Sequence, residues 1–320
     1  MKEILQQEVM EEEFTVNSWF EYWISNIKEN TVRPNTLKNY KSRYKHNIKS
    51  VLGNMKLSQV KPVHCQLVLN NMSSDNYAGS TMEQTRITMY NLFYSAEENE
   101  LVNTNPVKRS VKCPKKAEKN PRVLTIKEQK KFFEAACGTS NYNQYYFLLN
   151  TGLRAGELIG LKWEDINFTR KEISIKRSLA YNFEKKEYII GEPKSENSYR
   201  TIPMTKKIYE MLKEKYAKKD RFKDSEFADF VFLNRNGEPT KNSSYDAHIR
   251  KIAVKAGIEN LSMHTLRHTF ATRCIEAGLK PKTVQQLLGH SSINITMNLY
   301  VHITDEEKRR EMKKFELSAP

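Results

Sequence analysis

Long apolar runs are missing from this chain. No stretch approaches the roughly 20 consecutive apolar residues of a bilayer-spanning helix, and the opening MKEILQQEVMEEEF is acidic, without the apolar core of a secretory leader. No membrane association is expected. Cysteine is scarce: Cys65, Cys113, Cys137 and Cys274 form no CxxC pair, and a chain of 320 residues does not need a disulfide framework. They read as reduced thiols of a cytoplasmic protein. The phosphate-cradling loop GxxxxGK[ST] does not occur, which excludes a P-loop NTPase. No acidic cluster suggests two-metal phosphoryl transfer. His264 and His268 have HxxxH spacing, but HTLRH lacks the glutamate of a metalloprotease helix, and Arg267 between them repels a cation. Neither a metal nor any other cofactor is expected. Internal repeats and low-complexity segments are absent as well.

Basic residues are what the chain has in excess. Lys and Arg number 53 against 38 Asp and Glu, for a net charge of +15. Such an excess favours polyanionic partners and speeds encounter with nucleic acid, although a merely basic surface gives the same count. Sixteen tyrosines and 14 phenylalanines argue against disorder. At about 100–200 residues per domain, the length predicts one large or two medium domains.

After a charged lead-in over 1–13, Trp19, Trp23 and Ile27 recur on one helix face. Pro34 is placed to start a second helix, along which Leu37, Tyr40, Tyr44, Ile48 and Val51 follow the helical period up to Gly53. Met82, Met89, Phe93 and Ala96 mark a later helix. Residues 14–107 are therefore expected to form a small domain of about four helices. Opposite the second apolar stripe lie Lys38, Lys41, Arg43, Lys45 and Lys49, either a DNA-binding face or an ordinary solvated one. An extended basic linker is expected over 108–122. There Lys108, Arg109, Lys112, Lys115, Lys116, Lys119 and Arg122 face only Glu118, and Pro114 and Pro121 discourage helix. Its charge favours contact with DNA.

Residues 123–320 read as a second domain. Thr125 and Glu128 form a capping-box pattern. A helical region is expected over 141–163, then a three-stranded antiparallel sheet from ISI (173–175), YII (188–190) and TIP (201–203). Further helices are expected at 205–218, at 243–256 ending on Gly257, at 264–277 ending on Gly278, at 281–288 and near 292–300. A tail helix follows from the Thr304–Glu307 capping pattern. The expected fold class is mainly α with a small antiparallel β-sheet: a small helical domain followed by an α+β domain.

Four separated pieces place cationic or hydrogen-bonding groups in short, turn-like segments: Thr151-Gly-Leu-Arg154-Ala-Gly-Glu157-Leu158, Pro193-Lys194-Ser195, His264-Thr-Leu-Arg267-His268, and Leu287-Leu-Gly-His290 followed by Tyr300. Singly, each has a plain structural explanation. Arg154 reads as an ion-pair partner of Glu157, Lys194 as a solvated loop lysine, His264 and His268 as paired core histidines, and Tyr300 as one more packed tyrosine.

Together the pieces resemble the tyrosine recombinases of the phage-integrase family. The family's boxes stand here as TGLRAGEL, HTLRHTFAT (264–272) and LLGHSSINITMNLY (287–300), in the family's order, and the likeness extends from residue 14 to about 315. The resemblance implies a catalytic set of Arg154, Lys194, His264, Arg267, His290 and Tyr300. Lys194 is chosen over Lys185 and Lys186 because it precedes SENSYRTIP. Two guanidinium forks suit the charge that grows on a phosphodiester in its transition state. The histidines would add hydrogen bonds and manage the phenol proton. Tyr300 would attack to give a 3′-phosphotyrosine, Lys194 would protonate the leaving 5′-oxygen, Glu157 would orient its neighbours, and His268 would support its helix. The implied substrate is double-stranded DNA, gripped also by Lys38, Lys41, Arg43, Lys45, Lys112, Lys115, Lys116 and Lys119.

By the same resemblance the protein is a cytoplasmic, bacterial homo-oligomer, a tetramer on paired sites, that integrates and excises a phage or conjugative element. DNA-bending and directionality factors are expected partners. Chromosome-dimer resolution or DNA inversion by the same chemistry, topoisomerase activity, and a non-catalytic DNA-binding regulator are the alternatives. Only residues 1–13 precede the helical region, so the N-terminal arm-binding domain of many integrases is not expected.

Overall fold

A computed structural model describes residues 14–108, 110–114, 122–182, 185–191, 196–297 and 312. The chain divides into two compact units, Met1–Lys119 and Asn120–Pro320. Each buries its own apolar core. Among the described residues no helix is long and apolar enough to cross a membrane.

In the first unit, α1 (Val16–Tyr22) starts where the Thr15 hydroxyl accepts the Ser18 N–H at 3.1 Å, and it runs on into a π-helical turn, Trp23–Lys28. Pro34 opens α2 (Pro34–Arg43), which continues through Tyr44–Ile48 and Lys49–Leu52. Next come α3 (Pro62–Ser74) and α4 (Gly79–Glu98). The apolar stripes read from periodicity turn inward: Trp19, Trp23, Ile48, Met82, Met89, Phe93 and Ala96 are all buried. Trp19 Nε1 donates to the Leu92 carbonyl at 3.1 Å, which satisfies the one polar atom of that ring. With this stripe inside, Lys38, Lys41, Lys45 and Lys49 fall on the exposed side of the long second helix. Arg43 is half-buried and donates to Thr88 Oγ1 at 3.4 Å. Exposed Lys112 is pinned by its backbone, because the Gln66 side chain accepts its N–H and donates to its carbonyl, both at 2.9 Å.

In the second unit, the Thr125–Glu128 capping box forms with both reciprocal bonds, and α5 follows (Ile126–Ala136). The continuous helical region expected over 141–163 is broken. The structure has α6 (Tyr142–Thr151) and a short α7 (Ala155–Ile159), separated by Gly152 in the left-handed region at φ +64°. The break has a function in the fold, since it swings the chain so that Arg154 stands at the start of α7. Gly152→Ala is expected to cost about 2–4 kcal/mol, the sum of the left-handed penalty and overpacking. The added methyl would overlap the Phe270 ring and come within 2.9 Å of a Leu288 methyl. A urea midpoint unchanged from wild type would contradict this.

The strands are β1 (Ile166–Asn167), β2 (Glu172–Ile175), β3 (Ser178–Asn182), β4 (Glu187–Gly191) and β5 (Arg200–Pro203). They do not form the single sheet expected from ISI, YII and TIP. ISI does pair with TIP, with Ile173 opposite Ile202, and β1 supplies the third strand in the order β1-β2-β5. YII lies instead in a separate two-stranded hairpin with β3, with Leu179 opposite Ile190 and Tyr181 opposite Tyr188. A strand only a few residues away closes a short loop at low entropic cost. The Tyr181 and Tyr188 rings then meet edge-on at 5.0 Å across the pair.

The remaining helices are α8 (Lys206–Ala217), α9 (Asn242–Ala256), α10 (Met263–Glu276), α11 (Pro281–Leu288) and α12 (Ile293–Met297). Gly257 caps α9 at φ +65° as expected, whereas α10 is capped by Ala277, one residue before Gly278. The tail beginning at Thr304 and its capping pattern lie outside the described residues.

Candidate active site

The C-terminal end of α11 is where the separated motifs meet. A helix end exposes carbonyls without intrahelical partners and carries partial negative charge. Here three consecutive carbonyls each accept from a different arginine. Arg200 Nε donates to Leu287 O at 2.7 Å, Arg267 Nη2 to Leu288 O at 2.8 Å, and Arg154 Nη2 to Gly289 O at 3.0 Å. Arg267 reaches this point from α10, and its Nη1 also donates to Gly152 O at 2.6 Å. The glycine that breaks the helix before Arg154 thus also holds the other arginine. Gly289 itself is left-handed at φ +64°, which turns the chain toward His290.

Three guanidinium groups this close repel one another, and Glu157 offsets that repulsion. Its carboxylate, 3% exposed, receives Arg154 Nη1 at 2.7 Å and the Arg154 backbone N–H at 2.8 Å. It also takes both Arg200 terminal nitrogens, Nη1 at 3.1 Å and Nη2 at 2.8 Å. Burial acts to raise the Glu157 pKa, but hydrogen bonding to Arg200, its charge, and then Arg154 outweigh it, and the value lies below the ordinary one. Burial first, then Arg154, lowers Arg267 to about 9, which leaves it cationic at neutral pH. Arg154 keeps 31% of its side chain exposed, whereas Arg267 is 3% exposed. The two differ accordingly: Arg154 is a half-open donor and Arg267 a buried one.

His264 and His268 sit one turn apart on α10, with their rings edge to face at 4.7 Å. His290 Nδ1 lies 2.9 Å from Thr296 Oγ1, and Gln285 Nε2 donates to the His290 carbonyl at 3.2 Å. The Thr296 contact fixes the ring and leaves Nε2 as the nitrogen not engaged by it. Burial is the largest influence on all three histidines. His268 is lowered to about 4 with help from His264 and Arg267, and His290 to about 4 with help from Arg267 and Arg154. His264 is lowered by burial and by the same two arginines. At neutral pH these rings are neutral and able both to donate and to accept.

This has a consequence for folding. Below the ordinary histidine value of about 6.5 the unfolded chain binds protons that folded His268 and His290 refuse until about 4. The stabilisation is complete above the unfolded value and is lost as pH falls from about 6.5 toward about 4. The urea midpoint is expected to fall over that window, and replacing both rings by phenylalanine should remove much of the slope. A slope identical in the double variant would contradict it.

Of the residues singled out in the sequence, Arg154, Glu157, His264, Arg267, His268 and His290 are drawn together by direct contacts or mutual electrostatic influence. Lys194 and Tyr300 lie outside the described residues, as do Lys115, Lys116 and Lys119. Lys38, Lys41, Arg43, Lys45 and Lys112 belong to the other unit. Three participants were not singled out from sequence: Arg200, Gln285 and Thr296. Arg200 stands inside SENSYRTIP, and nothing in that run distinguishes it from a solvated arginine. Among the described residues no group of His, Cys, Asp or Glu side chains is arranged to hold a metal ion.

Comparison with known proteins gives a consistent outcome. The model of the "Phage integrase family" matches residues 122–307, and that of the "Phage integrase, N-terminal SAM-like domain" matches residues 15–73. The transposase of transposon Tn916 from Enterococcus faecalis is 30% identical over 305 residues, covering 90% of this chain and 75% of the relative. A XerC-like tyrosine recombinase from Caldanaerobacter subterraneus subsp. tengcongensis is 29% identical over 323 residues, covering 93% and 81%. Among solved structures, the Tn1549 transposon integrase in complex with transposon right end DNA superposes with a TM-score of 0.81 at 26% identity, covering 96% of this chain and 100% of that one. A lambda integrase tetramer bound to a Holliday junction shares the fold, with a TM-score of 0.67 at 19% identity and coverage of 92% and 80%.

Proposed function

The chain belongs to the phage integrase family, and from that membership we propose that Tyr300 attacks a DNA phosphodiester held by Arg154 and Arg267. The protein is a tyrosine recombinase, an enzyme that breaks and rejoins DNA at specific sites, of the kind found in mobile-element integrases. The observation that carries the residue assignment is the meeting of Arg154 and Arg267 on adjacent carbonyls at the end of α11, immediately before His290. A guanidinium has five N–H donors, and each of these two spends only part of its set on those contacts. The remainder suits the non-bridging oxygens of a phosphate.

The proposed reaction runs as follows. The Tyr300 phenolic oxygen attacks phosphorus, the bond to the 5′-oxygen breaks, and a 3′-phosphotyrosine forms. The phenol, with a pKa of about 10 when free, needs an acceptor for its proton, and neutral His290 and His264 are suited to that. Lys194 gives a proton to the departing 5′-oxygen. Arg154 and Arg267 stabilise the charge that builds on the phosphoryl oxygens, the term that contributes most in such sites. Glu157 holds Arg154, and His268 packs against His264. The phosphotyrosyl bond preserves the energy of the bond that was broken, so a 5′-hydroxyl from a partner strand reseals it without ATP.

We further assign double-stranded DNA as the partner of Lys38, Lys41, Arg43 and Lys45 on the second helix of the N-terminal unit, and of Lys112, Lys115, Lys116 and Lys119. Such contacts neutralise phosphates and make binding salt-dependent. Strand exchange between two duplexes, each cut on both strands, needs four nucleophiles, so the proposed working form is a homotetramer on paired sites. The proposed role is integration and excision of a conjugative or phage element in the bacterial cytoplasm, with DNA-bending and directionality factors as partners. The test is a panel of nicked duplexes that trap the intermediate. A protein–DNA band that survives denaturing electrophoresis supports the reading. DNA binding with no such band would leave a regulator that has kept only the fold.

A further inference from the structure

We propose that Arg200 is a positioning residue for strand cleavage: it locks Glu157 and the end of α11 into one frame and thereby aims Arg154. The inference rests on the reading of Arg154 as a phosphate ligand. It concerns a residue whose donors are almost all spent inside the protein. The Arg200 side chain, at the start of β5, is 5% exposed. Its Nε donates to Leu287 O, its Nη1 to Glu157 Oε1 and to Ser198 O at 3.1 Å each, and its Nη2 to Glu157 Oε2. Four of its five N–H groups are therefore committed inside the protein.

What those bonds hold is informative. Glu157 is shared between two arginines, one enclosed and one half-open, and each of its oxygens accepts from both. Removing Arg200 leaves a buried carboxylate with Arg154 as its only direct ionic partner among the described residues, free to draw that guanidinium away from the Gly289 carbonyl. Gly289 passes directly over Arg200: a methyl added there would lie 3.0 Å from Arg200 Nη1 and 3.0 Å from the Asn197 carbonyl. The same glycine's carbonyl is the acceptor for Arg154 Nη2. The bond to Ser198 O fastens the segment that follows Lys194. One enclosed side chain thus joins the base of the TGLRAGEL segment, the end of α11 and the turn at Ser198. Breaking one partner out of a buried ion pair leaves an uncompensated charge, so its effect on the neighbours is large.

The charged groups acting on Glu157 are Arg154 at the start of α7, Arg200 on β5 and Arg267 on α10. Burial works against its ionisation and Arg200 is the largest influence opposing burial. Without Arg200 the carboxyl takes up a proton at higher pH, and a protonated Glu157 holds Arg154 less well. The variant should therefore show cleavage that declines on acidification at higher pH than in wild type.

The experiment uses the full chain and a nicked duplex, with single-turnover cleavage and Kd measured on the same DNA from about pH 5 to about pH 9. Arg200→Ala is expected to cleave about 100-fold more slowly, the order of loss that follows a small misplacement of a reacting group. Its Kd should match wild type, and its acid decline should lie at higher pH. Arg200→Lys keeps the charge but not the fork, so it should restore the wild-type pH profile while recovering only part of the rate. Combining Arg200→Ala with Glu157→Gln should be no worse than either change alone, because both break one device. Cleavage by both Arg200 variants at the wild-type rate overturns the proposal. So does a parallel loss of affinity and cleavage, or full additivity with Glu157→Gln. Should Arg200→Ala fail to fold, Arg200→Lys decides: a slower rate at unchanged Kd supports the proposal, and a wild-type rate overturns it. A wild type that forms no adduct overturns the phosphate reading and this inference together, whereas an adduct-forming wild type with indifferent Arg200 variants overturns this inference alone.

Discussion

Tyr300→Phe is expected to bind DNA as wild type does and to form no covalent adduct at all. The substitution removes one oxygen and keeps the ring, so whatever packing the side chain makes is preserved. The chemistry has no substitute for it. A bond between protein and phosphorus requires a nucleophile delivered in line, and the α12 segment (Ile293–Met297) that leads to Tyr300 follows His290 directly. His290 is in turn fixed by Thr296 on that same helix. The group proposed to receive the phenolic proton and the chain carrying the phenol are therefore tied together locally. Gel shift and denaturing electrophoresis on the same nicked duplex separate the two properties. An adduct that survives the substitution would move the nucleophile to another residue.

Arg154→Ala is expected to slow cleavage about 1000-fold, at the upper end of what one donor to a developing oxyanion contributes. Affinity should change little, because the lysines proposed to meet the DNA would still supply the phosphate contacts that dominate binding. This arginine is a cleaner probe than Arg267. Its side chain is half-open, and Glu157 would still be held by Arg200 on both carboxylate oxygens. Arg267 is enclosed and satisfies the carbonyls of Gly152 and Leu288. Its loss would strand two buried acceptors and destabilise the fold as well as the chemistry. Equal losses of binding and cleavage in Arg154→Ala would mark it as a docking residue.

The parts of this account that were legible in the sequence share one property: their information is local. The apolar stripes of the N-terminal unit could be read because helical period alone decides which side faces inward, and Trp23, Ile48 and Phe93 are fully buried as that period requires. The cationic boxes could be read because TGLRAGEL, HTLRHTFAT and LLGHSS each occupy a few consecutive residues. What could not be read depended on partners distant in sequence. Alternation marks ISI, YII and TIP as strands but says nothing of which pairs with which, and YII paired with its sequence neighbour in a hairpin. The Gly152 break was hidden because helix-forming residues stand on both sides of it, and a single glycine costs an interior helix only about 1 kcal/mol. Arg200 carried no signal because an enclosed arginine is defined by what it meets, and its acceptors Glu157 and Leu287 come from two other segments.

Arg154 is proposed to act on the negative charge of the phosphate under attack. Replacing one non-bridging oxygen of the scissile phosphate by a methyl group removes that charge and leaves the leaving group and the nucleophile unaltered. Cleavage of this neutral substrate by Arg154→Ala, relative to wild type, is the direct measurement. The defect of about 1000-fold on ordinary DNA is expected to shrink to within about tenfold. A defect of undiminished size on the neutral substrate would show that Arg154 serves some other purpose, and the proposed site would fall with it.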